Sequence, residues 1–199
     1  KREGSTEFII DTKDIFIPGK HNLENAMAAS GAAIALGVEI KAVAKVLKEF
    51  RGVEHRLEFA GEHNGIKFYN DSKGTNPDAS IKAVQGIEKP IVLIAGGYDK
   101  QSLYDDFIKA FDNKVKALIL LGQTADNIER CAEKYGFENI YKVNTMDEAV
   151  KKSFELAEKG DNVVLSPACA SWGMYPNYEV RGRDFKERVN YYGGNIKKS

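Results

Sequence analysis

"PIVLIAGGYDK" (90–100) sets five consecutive apolar residues, Ile91–Ala95, against a glycine pair and a charged tail. A strand with no polar alternation must be covered on both faces, the condition of a parallel sheet between helices. "VKALILLG" (115–122) and "DNVVLSP" (161–167) repeat the pattern, and "NIYKV" (139–143) is a shorter relative. Helical stretches are expected between them, starting near Asp78, Ser102, Thr124 and Thr145, with a last helix from about Gly182 to Tyr191. Upstream, "HRLEFAGEHNGIKFYND" (55–71) forms a hairpin about Asn64-Gly65. Strand–helix alternation from Val53 onward predicts an α/β fold, a Rossmann-like, doubly wound, mostly parallel sheet.

Residues 1–52 are different. "TEFIIDTKDIFIPG" (6–19) alternates and is expected to form two short strands around a turn at Asp11–Asp14. An alanine-rich helix should run from Asn22 to Leu36 and stop at Gly37. A second, from about Ile40 to Phe50, places Val43, Val46, Leu47 and Phe50 on one stripe before Gly52. This segment holds too little to build a core alone. Two units are therefore expected, 1–52 as the edge of another domain and 53–199 as the α/β domain.

Composition narrows the function. Twenty-nine basic residues balance twenty-nine acidic ones, so an electrostatic grip on nucleic acid or an anionic membrane is not expected. No apolar stretch reaches the roughly 20 residues that span a bilayer, and residues 1–5 carry no secretory signal. The two cysteines, Cys131 and Cys169, lack Cys-x-x-Cys spacing; reduced thiols in a cytoplasmic protein are expected, with a single long-range disulfide as the alternative. There is no internal repeat. Neither G-x-x-x-x-G-K-[ST] nor a G-x-G-x-x-G following a strand is present, so the main phosphate cradle of a nucleotide-binding sheet is not in this sequence.

Three polar clusters follow predicted strands: "NDSKGTNPDAS" (70–80), "GGYDKQS" (96–102) and "SPACASWGMYPNYEVRGRDF" (166–185). All fall on one edge of a parallel sheet, where open α/β sheets bind ligands. Ordinary turn chemistry would also explain the first two, but the third is too long and too aromatic for an idle turn.

These clusters, with "GKHNLENAMAA" (19–29) and "GVEHRLEF" (52–59), resemble the Mur ligase family over essentially the whole chain. The resemblance implies the C-terminal Rossmann-like domain preceded by the end of the central ATPase domain, in a monomeric cytoplasmic enzyme of peptidoglycan synthesis. Within the family, "NDSKGTNP" and "SPACASW" resemble the branch that attaches D-glutamate to UDP-N-acetylmuramoyl-L-alanine, using ATP and Mg2+. A folylpolyglutamate synthetase-like ligase and a non-catalytic nucleotide- or amino-acid-binding module are the alternatives.

Residue by residue, the resemblance implies that Asn22 and Asn25 contact adenine, Arg56 the ATP phosphates, and Asp71, with His63 beside it, the ribose. Lys73 and Arg56 would be catalytic. Thr75, Lys100, Ser171 and the backbone near Tyr178 would hold the amino acid, and the metal ligands would lie mainly upstream. Each position has a plainer reading as well: an N-cap at Asn22, an interdomain ion pair for Arg56, a solvated hairpin residue at His63, a solvated turn lysine at Lys100. Gly173, where relatives carry an acid, and the order Tyr98-Asp99 depart from the family pattern.

Overall fold

The computed structural model describes residues 6–196 and divides into two compact units at Gly52/Val53. Residues 1–5 lie outside the described range.

The first unit has a 3-10 turn at Thr12–Asp14 and two helices, α1 (Lys20–Ala35) and α2 (Ile40–Glu49). The two strands expected around Asp11–Asp14 do not form; residues 6–11 are extended and unpaired in any ladder. Alternation supplies a strand's faces but not its partner, and Phe8 and Phe16 remain exposed. α1 starts from Gly19 rather than from a cap at Asn22, whose side chain instead donates to the Pro18 carbonyl at 2.7 Å. Of the α2 stripe, Val43 is buried while Val46 and Phe50 are exposed.

The second unit is a six-stranded sheet: β1 (Glu58–His63), β2 (Ile66–Asn70), β3 (Ile91–Ala95), β4 (Val115–Leu120), β5 (Ile140–Lys142) and β6 (Asn162–Leu165), in the order β1-β2-β6-β3-β4-β5. Only the β1–β2 pair is antiparallel. Its turn residues, Asn64 and Gly65, have φ of 54° and 77°, the paired left-handed conformation that Asn-Gly supplies at least strain.

Five helices cover the sheet: α3 (Pro77–Gly86), α4 (Asp105–Lys109), α5 (Ala125–Lys134), α6 (Met146–Leu156) and α7 (Tyr178–Ile196). Ala83 and Val84 of α3, Phe107 of α4 and Ile128 of α5 pack on one face. Met146 and Val150 of α6 and Phe185 and Val189 of α7 pack on the other. Every residue of β3 and β6 is buried, as their unbroken apolar runs require. The doubly wound sheet is thus as the sequence predicts.

Two helix starts differ. α4 begins at Asp105, not Ser102, with Tyr104 before it at φ −111° and ψ 2°. α7 begins at Tyr178, four residues before Gly182, because the Asn177 side chain accepts the Val180 N–H at 2.8 Å and caps it.

The topology makes the functional edge. β2 and β3 send their chains to α3 and α4 on one face, while β6, lying between them, sends its chain to α7 on the other. The three loops therefore diverge at the carboxyl ends of three adjacent strands, the crevice that open α/β sheets offer to ligands.

Candidate active site

The three polar clusters occupy that crevice: loop 71–76 after β2, loop 96–104 after β3 and loop 166–177 after β6. Backbone bonds knit them in register. The Gly96 N–H donates to the Pro167 carbonyl at 2.8 Å and the Tyr98 N–H to the Ala170 carbonyl at 2.9 Å. Gly96 and Gly97 lie at φ 107° and 153°, and a Cβ on either would come within 2.1 and 2.3 Å of the Leu121 and Ala170 carbonyl oxygens. The glycine pair is required by this close packing of loops. The Thr124 hydroxyl accepts the Gly97 N–H at 3.0 Å, so Thr124 ties a loop instead of capping α5.

Arg181, on the first turn of α7, sits at the centre and is 3% exposed. Its Nε donates to Ser72 Oγ at 3.0 Å, and its Nη2 to the Ser72 and Cys169 carbonyls at 2.8 and 3.1 Å. One guanidinium thereby joins the first and third loops. Its Nη1 is buried with no hydrogen-bond partner and stands 3.2 Å from where a Gly97 Cβ would be. Burial lowers its pKa to about 10, which leaves it charged at neutral pH. Read from sequence, Arg181 was only a basic residue after a loop. The Pro176-Asn177 pair, a helix-entry signal, is what would have put it on a helix facing inward.

Asp71 reaches the crevice but turns inward. It is 5% exposed and accepts the Leu57 N–H at 3.2 Å and the Ser166 hydroxyl at 2.7 Å. Ser80 hydrogen-bonds to Ser166 in turn, at 2.8 Å, and takes the Ala168 N–H at 2.9 Å. Burial raises the Asp71 carboxyl to about 6 against these hydrogen bonds. The carboxylate expected at the ribose is thus buried, and each of its oxygens takes one hydrogen bond that ties the loops together.

His63 lies at the hairpin-turn end of β1. It pairs with Ile66 beside the hairpin turn, whereas Glu58 pairs with Asn70 at the crevice end. The five residues from Ile66 to Asp71 place it about 16 Å from the loops at ~3.3 Å per residue. It packs instead against Phe68 and Phe154.

The remaining expected residues of the second unit lie in or beside these loops. Arg56 is exposed and close enough to Asp71 to favour its ionised form. Lys73 is exposed, with Nζ 5.3 Å from the centre of the Tyr178 ring. Thr75 is half-buried and Ser171 buried. Lys100 is exposed, with Nζ 4.6 Å from the Trp172 ring. The Tyr178 carbonyl accepts the Ser72 hydroxyl at 2.8 Å. Asn22 and Asn25 belong to the first unit, where Asn25 is exposed. Cys131 and Cys169 are free, and burial raises both thiols.

Glu54, His55 and Glu58 are the one group among the described residues with metal-ligand spacing. They do not fit a metal. Lys186 already bridges the two carboxylates, at 2.8 Å to each. Asn70 Oδ1 accepts the Ser72 N–H, so its amide nitrogen, 3.0 Å from His55 Nδ1, is the donor of that pair. That assigns the His55 proton to Nε2 and removes the lone pair a cation would need.

A doubly wound α/β domain with three strand-end loops meeting at a switch point has the architecture in which open α/β sheets bind ligands. Residues 55–169 match the family described as "Mur ligase, glutamate ligase domain", and the chain belongs to that family. The UDP-N-acetylmuramoylalanine–D-glutamate ligase of Caldanaerobacter subterraneus is 60% identical over 183 residues, 91% of this chain and 41% of that protein. Its counterpart in Clostridioides difficile is 51% identical over 181 residues, 91% and 40% of the two chains. This chain thus spans about 41% of the length of such relatives. Among solved structures, the UDP-N-acetylmuramate-alanine ligase of Thermotoga maritima superposes with a TM-score of 0.65 at 22% identity, over 88% of this chain and 39% of that one. The folylpolyglutamate synthase of Mycobacterium tuberculosis, complexed with ADP, gives 0.63 at 12%, over 85% and 41%. At those identities the likeness is one of fold.

Proposed function

We propose that this chain is the C-terminal part of an ATP-dependent, cytoplasmic and monomeric ligase that joins D-glutamate to UDP-N-acetylmuramoyl-L-alanine, with 1–52 the end of its central ATPase domain. The observation that carries this reading is two donor sets on separate loops of one crevice, Lys100 after β3 and Ser171 with the Tyr178 backbone after β6, with Lys73 on the loop after β2. An amino acid with two carboxylates needs two separated donor sets, and these loops provide them. The names of relatives at 51 to 60% identity support the same substrate.

In such a reaction ATP transfers its γ-phosphoryl group to the alanyl carboxylate, releasing ADP. The glutamate amine attacks the acyl phosphate carbonyl, and the tetrahedral intermediate expels phosphate and loses a proton to leave an amide. This chain's part is orientation and charge. Lys73 and Arg56 face the transferring group and the developing oxyanion, where fixed cations act most strongly. Lys100, Ser171, Thr75 and the Tyr178 backbone hold the amino acid so that its amine is aimed at the carbonyl. Asn22 and Asn25 would meet adenine from the first unit. Asp71 supports the ribose side by fixing loop 71–76. Mg2+ would be held mainly by residues of the upstream part of the longer enzyme.

The test is steady-state kinetics of the full-length enzyme. Lys100→Ala and Ser171→Ala should each raise the KM for D-glutamate roughly ten- to hundredfold, the effect of one charge-assisted hydrogen bond of about 1.5–3 kcal/mol. The KM for ATP should hold. Unchanged D-glutamate dependence in both variants would overturn the assignment.

A further inference from the structure

Lys100 of the proposed amino-acid site, and Lys73 beside it, rest on aromatic faces that a single loop and the helix after it supply. Trp172, next to the buried Ser171, lies under the Lys100 ammonium at 4.6 Å, and Tyr178, first residue of α7, lies under Lys73 at 5.3 Å. Among the described residues neither ammonium has a carboxylate within ion-pair distance. Trp172 also packs against Tyr98, the ring centres 5.6 Å apart and edge-on at 63°. Yet it is 54% exposed, a costly place for an indole with no other duty.

We propose that Trp172 is a positioning residue, which keeps the Lys100 ammonium above the crevice with its charge uncompensated and so sets the affinity for one carboxylate of the amino-acid substrate. The chemistry is specific to an aromatic face. An opposing carboxylate would neutralise the lysine and compete with the incoming anion, whereas a ring quadrupole attracts the ammonium without cancelling its charge. The ammonium has three donors, so one side can lie on the ring while the others meet a substrate carboxylate. Without the ring, the four-carbon stem is free to rotate into water, and binding must then bear the cost of ordering it.

This inference rests on the D-glutamate reading, and two experiments separate its failure from that of the reading. The first is the kinetics of the full-length enzyme carrying Trp172→Leu, Trp172→Phe, Lys100→Met and the Leu/Met pair. Trp172→Leu should raise the KM for D-glutamate roughly three- to tenfold, leaving the KM for ATP and kcat within about twofold. Trp172→Phe should restore most of the loss. In the Lys100→Met background Trp172→Leu should add almost nothing, since the two side chains act as a unit. A normal KM in Trp172→Leu, an equal loss for ATP, or full additivity with Lys100→Met would overturn the proposal. The second experiment needs no turnover. Trp172 is the single tryptophan of this chain, so its emission reports the contact directly. Lys100→Met should shift that emission in the 199-residue chain, and Lys73→Met should not. Identical spectra for wild type and Lys100→Met would sink the contact even if the enzyme proved to use D-glutamate. A shifted spectrum in an enzyme that refuses D-glutamate would instead place the fault in the substrate assignment.

Discussion

Asp71 carries its charge where water is nearly excluded, and that has a measurable consequence. Its carboxyl rises from an ordinary 3.8 to about 6 because burial outweighs the hydrogen bonds from Ser166 and Leu57. A carboxyl whose folded value lies above its unfolded value favours the folded state when protonated. Its contribution is full below about pH 3.8 and is lost as pH rises through 6. At about 1.36 kcal/mol per unit, the difference across that window is on the order of 3 kcal/mol. Asp71→Asn should therefore gain stability relative to wild type between pH 4 and pH 7, as read from urea midpoints. A gap that does not change with pH would refute it. At this scale the sequence named the right neighbourhood but not the directions. Asp71 was legible as a strand-end carboxylate; that it faces Leu57 and Ser166 depends on partners 14 and 95 residues away. Arg181 was hidden for the same reason, its three acceptors belonging to residues remote in sequence.

Among the elements, α3 shows how a residue inside a functional motif can serve the scaffold. Asn76 accepts the Ala79 N–H at 2.9 Å and Pro77 follows in the first turn, a capped start. Asn76→Ala should lower the stability of the second unit by about 1 kcal/mol, and Asn76→Asp should stay close to wild type. Urea unfolding followed by Trp172 emission would measure both; equal losses would show that something other than the cap is at stake. The elements were the most legible layer. β3, β4 and β6 announce themselves as apolar runs, and Asn64-Gly65 as a hairpin turn, because burial on two faces and a left-handed turn each restrict which residues are tolerated. Residues 6–18 misled for a physical reason: a strand is defined by its neighbour, and alternation cannot reveal whether one is there. The early start of α7 was missed because one side chain, Asn177, decides it.

For the whole molecule, the separation into two units predicts unequal protection. Amides of β3 and β4, bonded to buried neighbours on a sheet covered by helices, should be the slowest to exchange with deuterium. Those of 6–18, outside any ladder, should be the fastest. Comparable protection in both would contradict the description of the first unit. Sheet order carries one more consequence, and it concerns time rather than space. β6 lies between β2 and β3 yet is made after both, by about 90 and 65 residues of chain, so a ribosome releases two unjoined pieces before the strand that unites them. At about 5–20 residues per second the hairpin waits several seconds with the β6-facing edge of β2 open. During that interval the crevice does not exist, since every loop that forms it is anchored to β6 or beside it. The proposed ligand recognition is thus a property that the nascent chain would acquire all at once, and late.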